Sequence, residues 1–311
     1  MMHLIIVKIQ KFFVLAACVA VIAQASAVGH AATTLAQAGQ VNAVFSNKAG
    51  GKRSFYVSLP KNDAVNIRYK LVLVFPGTDT IGKEMKAFVG DGWGAEKGLE
   101  SNMPNTIFVY PDPKWRFFAQ WNSTDGGWLL GPYGGAARGM EDIYFVSELL
   151  GWLQKNYPID AQQIFATGHS WGGDMTAVVG CFLGDKFRAI APVAANRPYW
   201  FNAGNRPLNC VGNPAVWTFF GSDDTHFDGK EPRKGEFGRE QNQFWLRKYS
   251  CSKSSTQLNI GSKWESIEYK NCKSTVRFSL YSPNFSGRSD QPGHQPPDWY
   301  LSGVTTWFNS F

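Results

Sequence analysis

The chain has 311 residues and a net charge of +7, with 44% hydrophobic, 15% aromatic and 18% charged residues. So much apolar material with so little charge excludes a disordered chain, and the length suits one large domain or two small ones. The basic residues are scattered singly rather than gathered in a stripe, which argues against nucleic acid as a partner.

From the N-terminus, Lys8 and Lys11 precede an apolar run of twelve residues, Phe12 to Ala23, followed by Ala25-Ser26-Ala27. That is the layout of a secretory signal peptide over residues 1–27, so we expect an exported protein whose residues 28–311 form a single catalytic domain. Twelve residues are too few to span a bilayer, and no later run reaches about 18 apolar residues, so a membrane-embedded protein is not expected. Export implies an oxidising compartment. Cys18 leaves with the leader, and an even number of cysteines remains: Cys181, Cys210, Cys251 and Cys272. None lies in a C-x-x-C pair or has a histidine at ligand spacing, so two disulfides are expected and no metal. The short loops 181 with 210 and 251 with 272 are the simplest pairing, and the reading calls for no cofactor.

Beyond a polar stretch ending near Asn42, short apolar runs alternate with segments of helical period, as in an α/β fold with a mainly parallel central sheet flanked by helices. The expected central strands are Leu71 to Phe75, Thr106 to Tyr110, Ile164 to Thr167, Ala189 to Ala194, Ala215 to Phe220 and Val276 to Tyr281. Most are continuous apolar runs, as strands buried on both faces should be. Ile143, Val146, Leu149, Leu150 and Leu153 recur at three- and four-residue spacing and predict an amphipathic helix that ends before Pro158. A last helix, Asp298 to Phe311, follows Pro296-Pro297. The long segments Trp93 to Asn105, Pro111 to Arg138 and Pro198 to Asn213 show no clear period and read as binding loops.

The sharpest local signal is Gly168-His169-Ser170-Trp171-Gly172, with Gly173 after it, between an expected strand and a small-residue helix. A strand that turns abruptly into a helix presents Ser170 above the sheet, and its flanking positions need glycine because a Cβ would clash with the turn. Serine is a weak nucleophile alone and needs a histidine base oriented by an acid. His3 and His30 lie in or beside the leader, and His169 is turned away by the elbow. Of the remaining two, His294 stands in the loop between the last strand and the last helix, whereas His226 lies too near the candidate acid. The acid belongs after the strand Ala215 to Phe220, which offers Asp223 or Asp224. Asp174, Asp185 and Asp290 fit less well. Oxyanion donors would be the backbone N–H groups of Trp171, next to the nucleophile, and of Thr78, in Pro76-Gly77-Thr78 after the first central strand.

Taken together, Tyr110-Pro111-Asp112, Glu141-Asp142-Ile143, Ile159-Asp160, Ala166 to Gly173, Ala189 to Ala194, Gly221-Ser222-Asp223-Asp224 and Gly293-His294 resemble the secreted feruloyl esterase, acetylxylan esterase and polyhydroxybutyrate depolymerase group of α/β-hydrolases. The resemblance runs from about Ser54 to the C-terminus. It implies an α/β-hydrolase fold and a Ser170, Asp224, His294 triad, because the acid of that group is the third residue after the glycine that ends the strand. The chain departs from the group in having Pro76-Gly77 and Phe220-Gly221 where His-Gly is common.

Aromatic residues crowd two loops at the carboxyl end of the expected parallel strands. Trp115, Phe117, Phe118, Trp121, Trp128 and Tyr133 occupy one, and Tyr199, Trp200 and Phe201 the other. Trp121, Trp128, Tyr199 and Trp200 are the candidate substrate-binding residues, since a flat aromatic cleft suits a hydroxycinnamoyl ring or a sugar face. The leading expectation is a secreted serine esterase that releases feruloyl or related acyl groups from plant cell-wall polysaccharide through an acyl-enzyme. A polyester depolymerase or acetylxylan esterase is the enzymatic alternative. A non-catalytic carbohydrate-binding protein on a hydrolase scaffold is the rival of another class. Composition and motifs leave the oligomeric state open.

Overall fold

Strand β3 (Tyr69–Phe75) shows why the sheet lies in the middle of the molecule. Its side chains alternate between faces, and every residue but Lys70 is buried. Leu71, Leu73 and Phe75 join one hydrophobic core, and Val72 and Val74 join another. An apolar run without polar alternation therefore requires a layer of helices on each side.

The computed structural model describes residues 37–60, 67–93, 96–119, 122–130, 139–198, 209–226, 233–260, 265–282 and 291–311. The proposed leader lies outside them. β1 (Gly39–Val44), β2 (Lys52–Ser58), β3, β4 (Thr106–Pro111), β7 (Ile159–His169), β8 (Ala189–Val193), β9 (Ala215–Gly221), β10 (Ser255–Ile260), β11 (Glu265–Tyr269) and β12 (Val276–Tyr281) form one sheet. Their order is β1-β2-β4-β3-β7-β8-β9-β12-β11-β10. The six central strands, β4 to β12 in that order, run parallel and correspond to the six predicted from apolar runs. Two antiparallel strands extend each edge, and these the sequence reading did not identify. β5 (Lys114–Phe118) and β6 (Ser123–Gly127) make a separate hairpin inside a segment expected to be loop.

One face of the sheet carries α3 (Glu141–Asn156), α4 (Trp171–Phe182) and α5 (Glu236–Lys248). All five apolar residues predicted to line the first of these are buried, and it stops just short of Pro158, whose ring cannot continue a helix. The other face carries α1 (Gly82–Met85), which runs on as a wider turn over Lys86–Gly90, together with α2 (Leu99–Asn102) and α6 (Tyr300–Asn309). Residues from Thr34 to Phe311 form one compact unit, and no helix among the described residues is long and apolar enough to cross a membrane. Cys181 pairs with Cys210 and Cys251 with Cys272. The first disulfide ties the end of α4 to the chain entering β9, and the second ties the residues after α5 to those after β11.

Candidate active site

In a parallel sheet the loops at the carboxyl ends of the strands converge on one edge, and Ser170, Asp224 and His294 follow β7, β9 and β12 there. Ser170 follows β7 directly and begins α4 with φ 58° and ψ −127°. A non-glycine residue at positive φ is strained, and the packing explains why the strain persists. A Cβ on Gly172 would run into the carbonyl of Phe75, and one on Gly168 into that of Gly172. Strand, turn and helix are therefore pressed together around the serine.

His294 Nε2 stands 3.0 Å from Ser170 Oγ, and His294 Nδ1 stands 2.9 Å from Asp224 Oδ2. A carboxylate only accepts, so Nδ1 carries the proton and the Nε2 lone pair faces the serine hydroxyl. The second oxygen of Asp224 accepts the His226 N–H at 2.9 Å. Both Asp224 and His294 are buried, at 2% exposure each. Burial, then the facing His226, pushes the His294 imidazole down to about 3. Asp223 instead turns outward to Lys234. Asp174 is occupied with the N–H of Asn196 at 2.6 Å, Asp185 pairs with Lys186, and Asp290 lies outside the described residues.

Three supports of this corner carried no recognisable local signature. His169 Nε2–H donates to the His294 carbonyl oxygen at 2.7 Å, and burial beside His294 holds its pKa near 3. Tyr281, the last residue of β12, directs its hydroxyl to the carbonyls of Gly293 and Gln295, at 3.0 and 2.9 Å. His226 stacks on His294 with ring centroids 4.4 Å apart. Any buried aromatic or histidine has the same local sequence character, so only the fold distinguishes these braces.

A cleft of about 390 Å3 opens over Ser170 and His294. Gly77 and Thr78 bound it on one side, and a Cβ at Gly77 would lie 3.4 Å from Ser170 Cβ. The turn after β3 thus borders the nucleophile together with Trp171, the first residue of α4. Met85 and Phe88 supply an apolar wall, with Thr80, Glu84, Gln291 and Gln295 as polar lining. That wall comes from the segment around α1, which the sequence reading left unassigned because it is too short to show a period.

The aromatic expectations fare differently. Trp128 does not line the cleft: it is 0% exposed, its indole N–H donates to Pro76 O at 2.9 Å, and its ring meets Phe75 edge-on at 5.5 Å. A tryptophan that can bury its ring and satisfy its N–H in the core gains more than one left in solvent, so it braces the turn from below. Trp121, Tyr199 and Trp200 lie outside the described residues.

The αβα sandwich, the parallel centre of its sheet and the strand-turn-helix at Ser170 define an α/β-hydrolase fold. The fold matches that of the acetyl xylan esterase from Aspergillus awamori, with a TM-score of 0.62 over 87% of this chain and 98% of that one at 14% identity. Residues 46–264 match the esterase family model described as "Putative esterase", and the chain belongs to that family. It is a carboxylic ester hydrolase. Similar sequences include a "Probable feruloyl esterase C" of Aspergillus niger, 25% identical over 76% of this chain and 77% of that protein. Feruloyl esterase D of Neurospora crassa is 23% identical over 82% and 81%.

Proposed function

We propose that Ser170, His294 and Asp224 hydrolyse the ester through an acyl-enzyme. The observation that carries this reading is the unbroken hydrogen-bond path from Ser170 Oγ through the His294 ring to Asp224. Ser170 Oγ attacks the acyl carbonyl while His294 Nε2 takes its proton, and Asp224 stabilises the imidazolium that forms. The N–H groups of Thr78 and Trp171 receive the oxyanion. His294 then returns the proton to the leaving alcohol, and water repeats the sequence on the acyl-serine. Met85 and Phe88 give the acyl group an apolar surface.

The substrate we propose is a feruloyl or related acyl ester of plant cell-wall polysaccharide, acted on outside the cell by a protein whose first 27 residues direct export. The named feruloyl esterases that align over three quarters or more of the chain support this choice, and the two disulfides suit an oxidising compartment. Ferulate release from methyl ferulate, set against clearing of a polyhydroxybutyrate suspension and acetate release from acetylated xylan, is the deciding comparison. Clearing without ferulate release would replace this reading with a polyester depolymerase. A fluorophosphonate that labels the wild type but not Ser170→Ala separates a serine esterase from a non-catalytic binding protein.

A further inference from the structure

The β5–β6 hairpin has two faces of different character. Arg116 turns inward to Asp142 and Glu141, at 2.9 and 2.7 Å, and Lys114 also reaches Glu141, at 3.1 Å. The intervening residues, Trp115 and Phe117, face solvent and are 59% and 60% exposed. Large rings left in water on consecutive outward positions of a strand are unusual where neighbouring aromatics, such as Phe118, are buried.

Trp115 pairs across the hairpin with Gly126, and Phe117 with Thr124. A Cβ on Gly126 would stand 3.3 Å from Cε2 and 3.5 Å from Cζ2 of the indole, so the glycine gives the ring room to lie against the strand. Gly126 is also bonded both ways to Asp79: Asp79 N–H donates to Gly126 O at 2.9 Å, and Gly126 N–H donates to Asp79 Oδ1 at 2.8 Å. Asp79 follows Thr78 at the edge of the cleft. Neighbouring Gly127 packs on the Trp171 ring. The exposed rings are thus fixed to the same turn and helix that border Ser170.

We propose that Trp115 and Phe117 form a platform on which the polysaccharide chain of the ester substrate stacks while its acyl group enters the cleft; this rests on the function proposed above. Two rings can bury roughly 150–250 Å2 each, far below the roughly 1,200–2,000 Å2 of a stable protein interface, which disfavours a second copy of the chain as occupant. A polyester surface would need a broad apolar face, whereas these two rings share their outward face with exposed Thr124, the cross-strand partner of Phe117. Flat rings on a face that also carries a hydroxyl suit pyranose units, which are apolar on their faces and polar at their rims.

Binding is measured on the Ser170→Ala protein by affinity electrophoresis through gels containing soluble arabinoxylan, so no turnover enters the readout. The Ser170→Ala parent should be retarded. Adding Trp115→Ala should weaken binding about tenfold and Phe117→Ala by less, with Trp115→Tyr restoring most of it and melting temperatures near the parent's. Equal retardation of the parent and Trp115→Ala overturns the proposal, as does a parent that is not retarded. Trp115-dependent adsorption to polyhydroxybutyrate granules in place of arabinoxylan, or a Trp115-dependent dimer in sedimentation, overturns it too. Wild-type turnover of methyl ferulate tests the proposed function separately.

Discussion

Asp224 and Asp142 are both buried carboxylates, 2% and 0% exposed, and their surroundings are opposite. Asp142 lies at the start of α3 between two arginines, 2.8 Å from Arg53 and 2.9 Å from Arg116, and accepts the Leu129 N–H at 2.7 Å. Burial alone would push its carboxyl up, but the two guanidinium charges and these hydrogen bonds outweigh it and hold it below the ordinary value. Asp224 faces a neutral imidazole and a backbone N–H. In the proposed mechanism its hydrogen bond to Nδ1 places it to stabilise a proton arriving on His294. One carboxylate joins elements through two arginines, and the other orients the histidine that faces Ser170.

The largest effect expected from this contrast is at the serine corner. Ser170→Ala and His294→Ala should each lower turnover by roughly 10^4- to 10^6-fold without unfolding the protein. Asp224→Asn should cost about 10^4-fold, because the amide no longer holds the productive tautomer, while Asp223→Asn, whose wild-type carboxylate faces Lys234, should change little. Retained activity in His294→Ala with loss in His226→Ala would assign the base wrongly.

Removing the carboxylate from the arginine cluster should show the converse. Asp142→Ala leaves Arg53, 3% exposed, without its main counter-charge and should destabilise by about 3–5 kcal/mol in urea titrations, with the folded fraction still turning over ester. A variant that unfolds at the wild-type urea concentration would remove the distinction drawn between the two carboxylates.

Each disulfide should contribute about 2–4 kcal/mol by restricting the unfolded chain. Cys181→Ser with Cys210→Ser, and Cys251→Ser with Cys272→Ser, should therefore melt earlier, and non-reducing peptide maps should recover the two pairs intact from wild type. The smaller losses would show how much of the fold's stability lies outside the charge cluster.

The gentlest probe is acid. His169 has a folded pKa near 3 against 6.5 unfolded, so the unfolded chain binds the extra proton between these values. The His169 contribution should fall as pH drops from about 6.5 towards 3, by at most about 1.4 kcal/mol per pH unit, with His294 acting in the same sense and Asp174, raised to about 7, in the opposite one. Asp142 has the usual carboxylate sign: its contribution persists above its unfolded value of 3.8 and is lost only as pH falls below it. Melting temperatures between pH 7 and 4 should therefore depend less on pH in His169→Gln than in wild type, and parallel curves would place the acid sensitivity elsewhere.

How much could be read in advance follows from the range of each interaction. The six central strands were legible because burial on both faces leaves an unbroken apolar run, and α3 because its apolar residues keep a period of 3.6. Edge strands β1, β2, β10 and β11 were not, since a strand with one solvated face mixes polar and apolar residues as a loop does. Ser170 stood out through its glycines, and His294 and Asp224 emerged as candidates from chain order and a resemblance. The distances between them depend on strand order, because their loops are 54 and 70 residues apart in sequence and meet only at the carboxyl edge of the sheet.

The sequence by itself therefore determined the parallel centre of the sheet, the α3 helix and the strained turn at Ser170, features encoded within a few neighbouring residues, whereas short loops suggested the cysteine pairing without fixing it. Tertiary structure alone decided that Trp128 is buried beneath Pro76, that Met85 and Phe88 form the cleft wall, that His169 and Tyr281 brace the His294 loop, and that Asp142 is enclosed by arginines. Burial and partner choice depend on segments far apart in sequence, and a residue's type records what it can do without recording which neighbour the fold will bring to it.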